Sequence, residues 1–169
     1  YTVTPEGKGP AWSNSLFEDN AEFGYGMLLA QNTIRDRLKA KVEKIAEKTT
    51  DEAVKAAAAE YLETYTVGAT NGTATDKLVA ALEALDCDCE ERAEVLKNKD
   101  FLAKKSQWIF GGDGWAYDIG YGGVDHVLAS KKDINIMVFD TEVYSNTGGQ
   151  SSKATKTGAT AQFAAGGKE

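Results

Sequence analysis

The sequence predicts an α/β fold, a parallel sheet with flanking helices, carrying a helical insertion. Three observations predict it. "QWIF" (107–110) and "INIMVF" (134–139) are short, nearly continuous runs of β-forming residues, the pattern of strands in a parallel sheet. Between them "AYDIGYGGVDHVLAS" (116–130) reads as a helix whose glycines let it approach a sheet closely, so strand, helix and strand fill about 33 residues as a right-handed βαβ unit. Residues 29–100, by contrast, are polar, rich in Ala, Glu and Lys, and carry apolar residues at helical spacing.

The 169 residues leave room for one domain with a sizeable core. A formal net charge of −7 argues against non-specific binding to nucleic acid or to an anionic membrane, both of which need clustered cations. No apolar run approaches the ~20 residues of a membrane span, and the first residues lack the charged-then-apolar pattern of a secretory signal. The chain opens on Tyr1 and stops at Gly167-Lys168-Glu169 just after a periodic segment begins, so a piece of a longer protein is expected. Cys87 and Cys89 form "CDC", which is not the spacing of a zinc site; free thiols in a cytoplasmic protein are expected, with a metal or redox role the alternative.

Taken in order, residues 1–15 hold both prolines and read as an extended lead-in. From Asn20 a helix carries Met27, Ile34, Leu38, Val42 and Ile45 and ends near Lys48. "TTDE" supplies a capping box from Thr49 to Glu52. The next helix presents Val54, Ala58, Tyr61 and Tyr65 on one face, and "VGATNGTAT" is expected to break it. Leu78, Leu82 and Leu85 mark a third helix, and "EERAEVLKNK" a fourth, charged and exposed. The stretch from 50 to 100 is expected to be peripheral to any site.

The chemistry concentrates at the strand ends of the βαβ unit. In open parallel sheets, ligands bind beyond the carboxyl ends of the strands. Asp113, within "GGDG", lies at the end of the first strand, and "DTEVYSNTGGQ" (140–150) at the end of the second. The helix start at Trp115-Ala116 offers free N–H groups and a positive dipole end, suited to phosphate. A hard divalent cation bridging Asp113 to that phosphate reconciles an anionic side chain with an anionic ligand, and Thr141, Ser145 and Asn146 add neutral oxygens. The combination fits a diphosphate held by Mg2+. A dinucleotide fingerprint fails because Tyr117 occupies the third glycine position, and a Walker loop is absent. A bland turn remains the alternative for an isolated Gly-Asp-Gly, and for Asn146 within "SNTGG".

"SLFEDNAEFGYGM" (15–27), "GGDGWAYDIGYGGVDHVLAS" (111–130) and "DTEVYSNTGGQSSKAT" (140–155) together resemble the thiamine diphosphate-binding domain of pyruvate:ferredoxin (flavodoxin) oxidoreductases. The second oxygen cluster departs from the Asn-Asn pair of most thiamine diphosphate enzymes and fits this branch. The resemblance implies a thiamine diphosphate-binding fold, with residues 1–169 a partial domain, 29–100 a helical insertion and 107–150 the cofactor-binding unit of an enzyme extending beyond both ends. It implies Mg2+ held by the Asp113 carboxylate, the Thr141 hydroxyl and the Val143 carbonyl. Gly114, Trp115 and Ala116 then present backbone donors to the diphosphate, and Glu142 belongs to the same cofactor-binding loop. Tyr144, Ser145 and Asn146 line the approach to the thiazolium ring, with Asn146 the candidate to touch substrate. Asn20, Glu22 and Gly24 open a helix facing the cofactor. The implied reaction is oxidative decarboxylation of pyruvate with coenzyme A to acetyl-coenzyme A and CO2, in a homodimeric parent enzyme. Ferredoxin or flavodoxin takes the electrons through 4Fe–4S clusters whose ligands lie outside this chain. Another 2-oxoacid substrate, or a non-enzymatic Mg2+/phosphate-binding module, are the alternatives. His126 reads as packed or surface. Lys153 and Lys156 read as solvated, or as steering an acidic ferredoxin. Alone, the chain is expected to be inactive, for want of the carboxylate that activates thiamine and of cluster ligands.

Overall fold

A computed structural model describes Gly7 and residues 18–169. The extended lead-in expected over residues 1–15 therefore falls outside the described residues, Gly7 apart. The chain divides into two compact units, one made of residues up to Tyr25 together with Trp108–Glu169, the other of Gly26–Gln107.

In the second unit, helix α1 (Asn20–Lys48) turns its Leu38, Val42 and Ile45 into a core they share with α2 (Glu52–Glu63), α3 (Gly68–Ala84) and α4 (Glu90–Lys97). The spacing i, i+4, i+7 puts those three side chains on one stripe, and burying each contributes about 1.5–3 kcal/mol. α2 adds Val54, Ala57, Ala58 and Tyr61, and α3 adds Leu78 and Leu82. α4 is mostly charged, as its sequence suggests, but its Val95 is fully buried. Met27, expected on the apolar stripe, is 40 % exposed; its neighbour Leu28 is buried instead.

Three expectations in this unit need correction. The cap of α2 is Asp51 rather than Thr49, because the Asp51 carboxylate accepts from Ala53 N at 2.9 Å and Val54 N at 3.0 Å, two donors the first turn leaves without partners. "VGATNGTAT" does not break the helices over its length: α3 already begins at Gly68 and runs through Gly72. Tertiary bonding overrides the poor helix propensity of that stretch. Buried Asn71 accepts from Arg35 Nη2 at 3.3 Å and from Lys104 N at 2.7 Å. Arg35, also buried, further donates to the carbonyls of Leu102 (3.0 Å) and Tyr65 (2.9 Å) and lies 4.1 Å over the Tyr65 ring. Finally, Cys87 and Cys89 are not free thiols but are joined to each other as a disulfide.

In the first unit, β1 (Trp108–Gly111) pairs in parallel with β2 (Asn135–Val138), from Trp108 opposite Asn135 to Gly111 opposite Val138. One further bond, Phe139 N to Gly111 O at 2.8 Å, carries the pairing to the strand ends. Ile109, Trp115, Ala116, Val124 and Val127 form the core with Ala21 of α1. Gly24 lets α1 approach the strand, since a Cβ there would lie 2.5 Å from the Ile109 side chain, and Asn20 Nδ2 donates to Phe110 O at 3.2 Å.

The single helix expected over 116–130 is two: α5 (Asp113–Tyr117) and α6 (Tyr121–Ser130). The break centres on Asp118, whose ψ of −112° leaves the helical region. Gly120 closes the break, and a Cβ there would lie 2.6–2.7 Å from the backbone of Trp115 and Glu18. β2 does not read as a strand buried on both faces. Trp108, Phe110, Met137 and Phe139 are each about half exposed, with Trp108, Phe110 and Phe139 stacked at centroid separations of 6.0 Å. Beyond β2, a short antiparallel hairpin pairs β3 (Val143–Tyr144) with β4 (Gln150–Ser151). Among the described residues, no helix is long and apolar enough to cross a membrane.

Candidate functional site

The parallel pairing of β1 with β2 puts the two strand ends side by side, and each ends in a loop rich in side-chain and carbonyl oxygens. At the end of β1, Gly111 leaves room for the Trp115 indole, which a Cβ would overlap. Gly112 caps α5, and Asp113 is its first residue. That carboxylate is 2 % exposed. A buried charge needs donors, and here they come from the far side of the sheet end. Thr141 N donates to Asp113 Oδ1 at 3.0 Å, and Ser152 Oγ donates to Asp113 Oδ2 at 2.7 Å.

Three oxygens gather around the Thr141 hydroxyl. Thr141 Oγ1 lies 3.3 Å from Asp113 Oδ1, 2.9 Å from Val143 O and 3.3 Å from Ser145 Oγ. Ser145 can bring its own proton. Thr141 has one, and the carboxylate and the carbonyl have none to offer. That proton serves the carbonyl or the carboxylate, so a carboxylate oxygen, a hydroxyl and a carbonyl share one small space, a set of hard oxygens of the kind a divalent cation takes. Asp113, Thr141, Val143 and Ser145 are thus brought together from positions up to 32 residues apart in sequence. Among the described residues there is no group of three or more His, Cys, Asp or Glu placed to hold a metal, so a cation here would be held by mixed oxygen donors around one carboxylate.

The loop that delivers these oxygens is shaped locally. Asp140 Oδ1 accepts Glu142 N at 3.1 Å, and Glu142 adopts a left-handed conformation with φ of 63°. Asp140 Oδ2 accepts the Tyr117 hydroxyl at 3.0 Å, which holds the Tyr117 phenol above its ordinary pKa. Tyr144, expected to line the cofactor approach, packs 3.5 Å from where a Cβ on Gly114 would lie. Burial, and then its hydrogen bond to Asp118, push its phenol up to about 12. Asn146 is exposed in the turn between β3 and β4, where Gly149 N donates to Tyr144 O at 2.9 Å. Of the three backbone donors expected from α5, the Ala116 N–H is already engaged by Gly112 O at 3.0 Å. Gly114 and Trp115 belong to the turn whose N–H groups a helix leaves without intrahelical partners.

Lys153 and Lys156 face carboxylates. Lys153 Nζ is 3.7 Å from Asp118, and Lys156 Nζ is 2.8 Å from Glu142, which raises the lysine's pKa. Together with Tyr117 and Asp140 they line an open groove of about 610 Å³. His126 packs edge-on against Tyr25 at 5.8 Å. Ser152, Thr155 and Asp118 were not singled out by the sequence. "SSKAT" looks like any polar turn, and nothing in its spacing tells that Ser152 reaches a carboxylate 39 positions away.

Comparison with known proteins agrees with the resemblance. The pyruvate:ferredoxin oxidoreductase of Moorella thermoacetica is 54 % identical over 99 % of this chain. The pyruvate-flavodoxin oxidoreductase of Klebsiella pneumoniae is 48 % identical over 99 %. The chain is homologous to one segment of these oxidoreductases. It spans 15 % and 14 % of their lengths respectively. The mitochondrial pyruvate dehydrogenase (NADP+) of Euglena gracilis is 45 % identical over 99 % of the chain, which spans 9 % of that protein. No family model matches the chain.

Proposed function

We propose that this segment holds the Mg2+-diphosphate of thiamine diphosphate in an enzyme that oxidatively decarboxylates pyruvate. Coenzyme A takes the acetyl group, and ferredoxin or flavodoxin takes the electrons. The observation that carries the reading is the convergence of Asp113 Oδ1 and Val143 O on Thr141 Oγ1. Mg2+ takes oxygen ligands at about 2.0–2.1 Å in an octahedron, whose adjacent ligands lie about 3 Å apart. The separations of 2.9 and 3.3 Å found here suit that cation.

Each residue then has a task. Asp113 supplies the one negative charge on the protein side of the metal, and Thr141 and Val143 supply neutral oxygens. Gly114 and Trp115 offer N–H groups to the diphosphate. Tyr144, Ser145 and Asn146 flank the approach to the reacting ring; Glu142 sets the loop between them, and Asn146 in its exposed turn is free to meet substrate. Thiamine diphosphate, when bound, supplies the nucleophilic carbon and the electron sink that pyruvate decarboxylation needs. The chain has two cysteines, bonded to each other, so 4Fe–4S ligands must come from elsewhere in the protein. The names of the relatives support the assignment to the pyruvate half of the reaction. They share pyruvate but differ in acceptor (ferredoxin, flavodoxin, NADP+), while the segment persists at 45–54 % identity. A thiamine diphosphate-binding fold, a cytoplasmic location and a homodimeric enzyme complete the reading.

The test is equilibrium binding by the full-length protein. Thiamine diphosphate should bind only with a divalent cation present, and NAD and ATP should not compete. Cation-independent binding, or none, defeats the proposal.

A further inference from the structure

We infer that Ser152 and Thr155 are positioning residues for the cation site, a pair of hydroxyls that fixes how Asp113 and the 141–143 loop face each other. This rests on the Mg2+ reading above and adds residues to it.

Both side chains are small, polar and buried, at 3 % and 5 % exposure. Buried hydroxyls require partners, and each of these finds one within the proposed ligand set or its connecting peptide. Ser152 Oγ donates to Asp113 Oδ2 at 2.7 Å, and the Thr155 hydroxyl donates to the carbonyl of Glu142, the residue between Thr141 and Val143. The two hydroxyl residues are tied to each other as well. Ser152 N donates to Thr155 Oγ1 at 2.9 Å, and Thr155 N donates to Ser152 O at 3.3 Å. Ala154 N donates to Ser152 Oγ at 3.1 Å, which orients the serine hydroxyl toward the aspartate. Lys168 Nζ secures the turn by donating to Ser152 O at 2.6 Å.

Two consequences follow for the ligands. With Oδ2 engaged by Ser152, Asp113 presents Oδ1 alone to Thr141 and Val143, so the carboxylate serves as a one-oxygen ligand. That suits Mg2+, whereas Ca2+ readily takes a carboxylate through both oxygens and tolerates irregular geometry. Glu142 sits at φ 63°, a left-handed conformation that a non-glycine residue adopts at a cost. Its carbonyl is held there by Thr155. The left-handed residue turns the chain, and the Val143 carbonyl returns to within 2.9 Å of the Thr141 hydroxyl.

The experiment measures, in the full-length protein, the Mg2+ and the Ca2+ concentrations that half-saturate thiamine diphosphate binding by equilibrium dialysis. Ser152→Ala and Thr155→Val should each raise the Mg2+ requirement about tenfold, the scale of losing a partner behind a metal ligand. The Ca2+ requirement should change less than threefold. Thr155→Ser, which keeps the hydroxyl, should restore the wild-type ratio. An unchanged Mg2+ requirement, or equal losses for both cations, overturns the assignment. Ser152→Ala removes a single oxygen and keeps the test valid if Thr155→Val does not fold. If the wild type binds without a cation, or Asp113→Asn binds as well as wild type, the underlying Mg2+ reading falls and this inference with it.

Discussion

Asp113 carries two separable loads, and replacing it by asparagine or by alanine should separate them. In the structure its two oxygens take different donors, Thr141 N at 3.0 Å and Ser152 Oγ at 2.7 Å. Asparagine keeps one acceptor oxygen, which can serve the Thr141 amide. Its NH2 then faces Ser152, whose hydroxyl can rotate to accept, so the net loss is about one hydrogen bond, ~1 kcal/mol. Alanine leaves two donors without an acceptor at a site only 2 % exposed. Each costs about 1–3 kcal/mol, and entry of water into the space vacated by the carboxylate brings the sum down to about 2–3 kcal/mol. Amide hydrogen exchange over residues 139–145, measured without cofactor, should therefore accelerate about fivefold in Asp113→Asn and roughly 30- to 150-fold in Asp113→Ala. On the Mg2+ reading proposed above, cofactor retention responds differently, because both variants remove the one carboxylate among the proposed ligands. Thiamine diphosphate content after purification should fall to background in both. Retention by Asp113→Asn at the wild-type level would refute the claim that charge, rather than hydrogen bonding, is what Asp113 contributes to the cofactor. Equal exchange in the two variants would refute the hydrogen-bond accounting.

Three further outcomes are expected. Gly120→Ala should destabilise the protein by more than about 2 kcal/mol, because its Cβ would meet backbone atoms of Trp115 and Glu18 that have no side-chain freedom to yield; a urea midpoint like wild type would contradict this. Arg35→Lys should cost about 2–4 kcal/mol, since a lysine cannot reach the carbonyls of Leu102 and Tyr65 and Asn71 Oδ1 together; thermal melting checks it, and Arg35→Lys melting with wild type would show that the network is dispensable. Burial pushes the Tyr61 hydroxyl up to about 12, against ~10 in an unfolded chain. Between those values the unfolded state has shed a proton that the folded state keeps. The contribution is therefore complete below about pH 10 and is lost as pH rises toward 12. Denaturation midpoints from pH 9 to 12 should fall less steeply in Tyr61→Phe.

How much of this was legible in the sequence can be judged element by element. The helix from Asn20 to Lys48 and the parallel strands around 108–111 and 135–138 follow from local patterns, because hydrophobic period and β-branching act over a few residues. The pairing of Asp113 with the 141–145 loop was also legible, since a βαβ unit has one dominant handedness and places its strand ends together. Where the sequence misled, long-range bonding outweighed local preference. Gly68 and Gly72 became helical because Asn71 is anchored to Arg35 and Lys104 across 36 and 33 positions. The helix after Asp113 divided at Asp118–Gly120 because the backbones of Trp115 and Glu18 pack where only glycine fits. The role of Ser152 and Thr155 was invisible for the same reason. A serine and a threonine in a polar turn are ordinary until the chain folds them under a carboxylate, and a hydroxyl's partner over such a distance is set by tertiary packing rather than by any spacing along the chain.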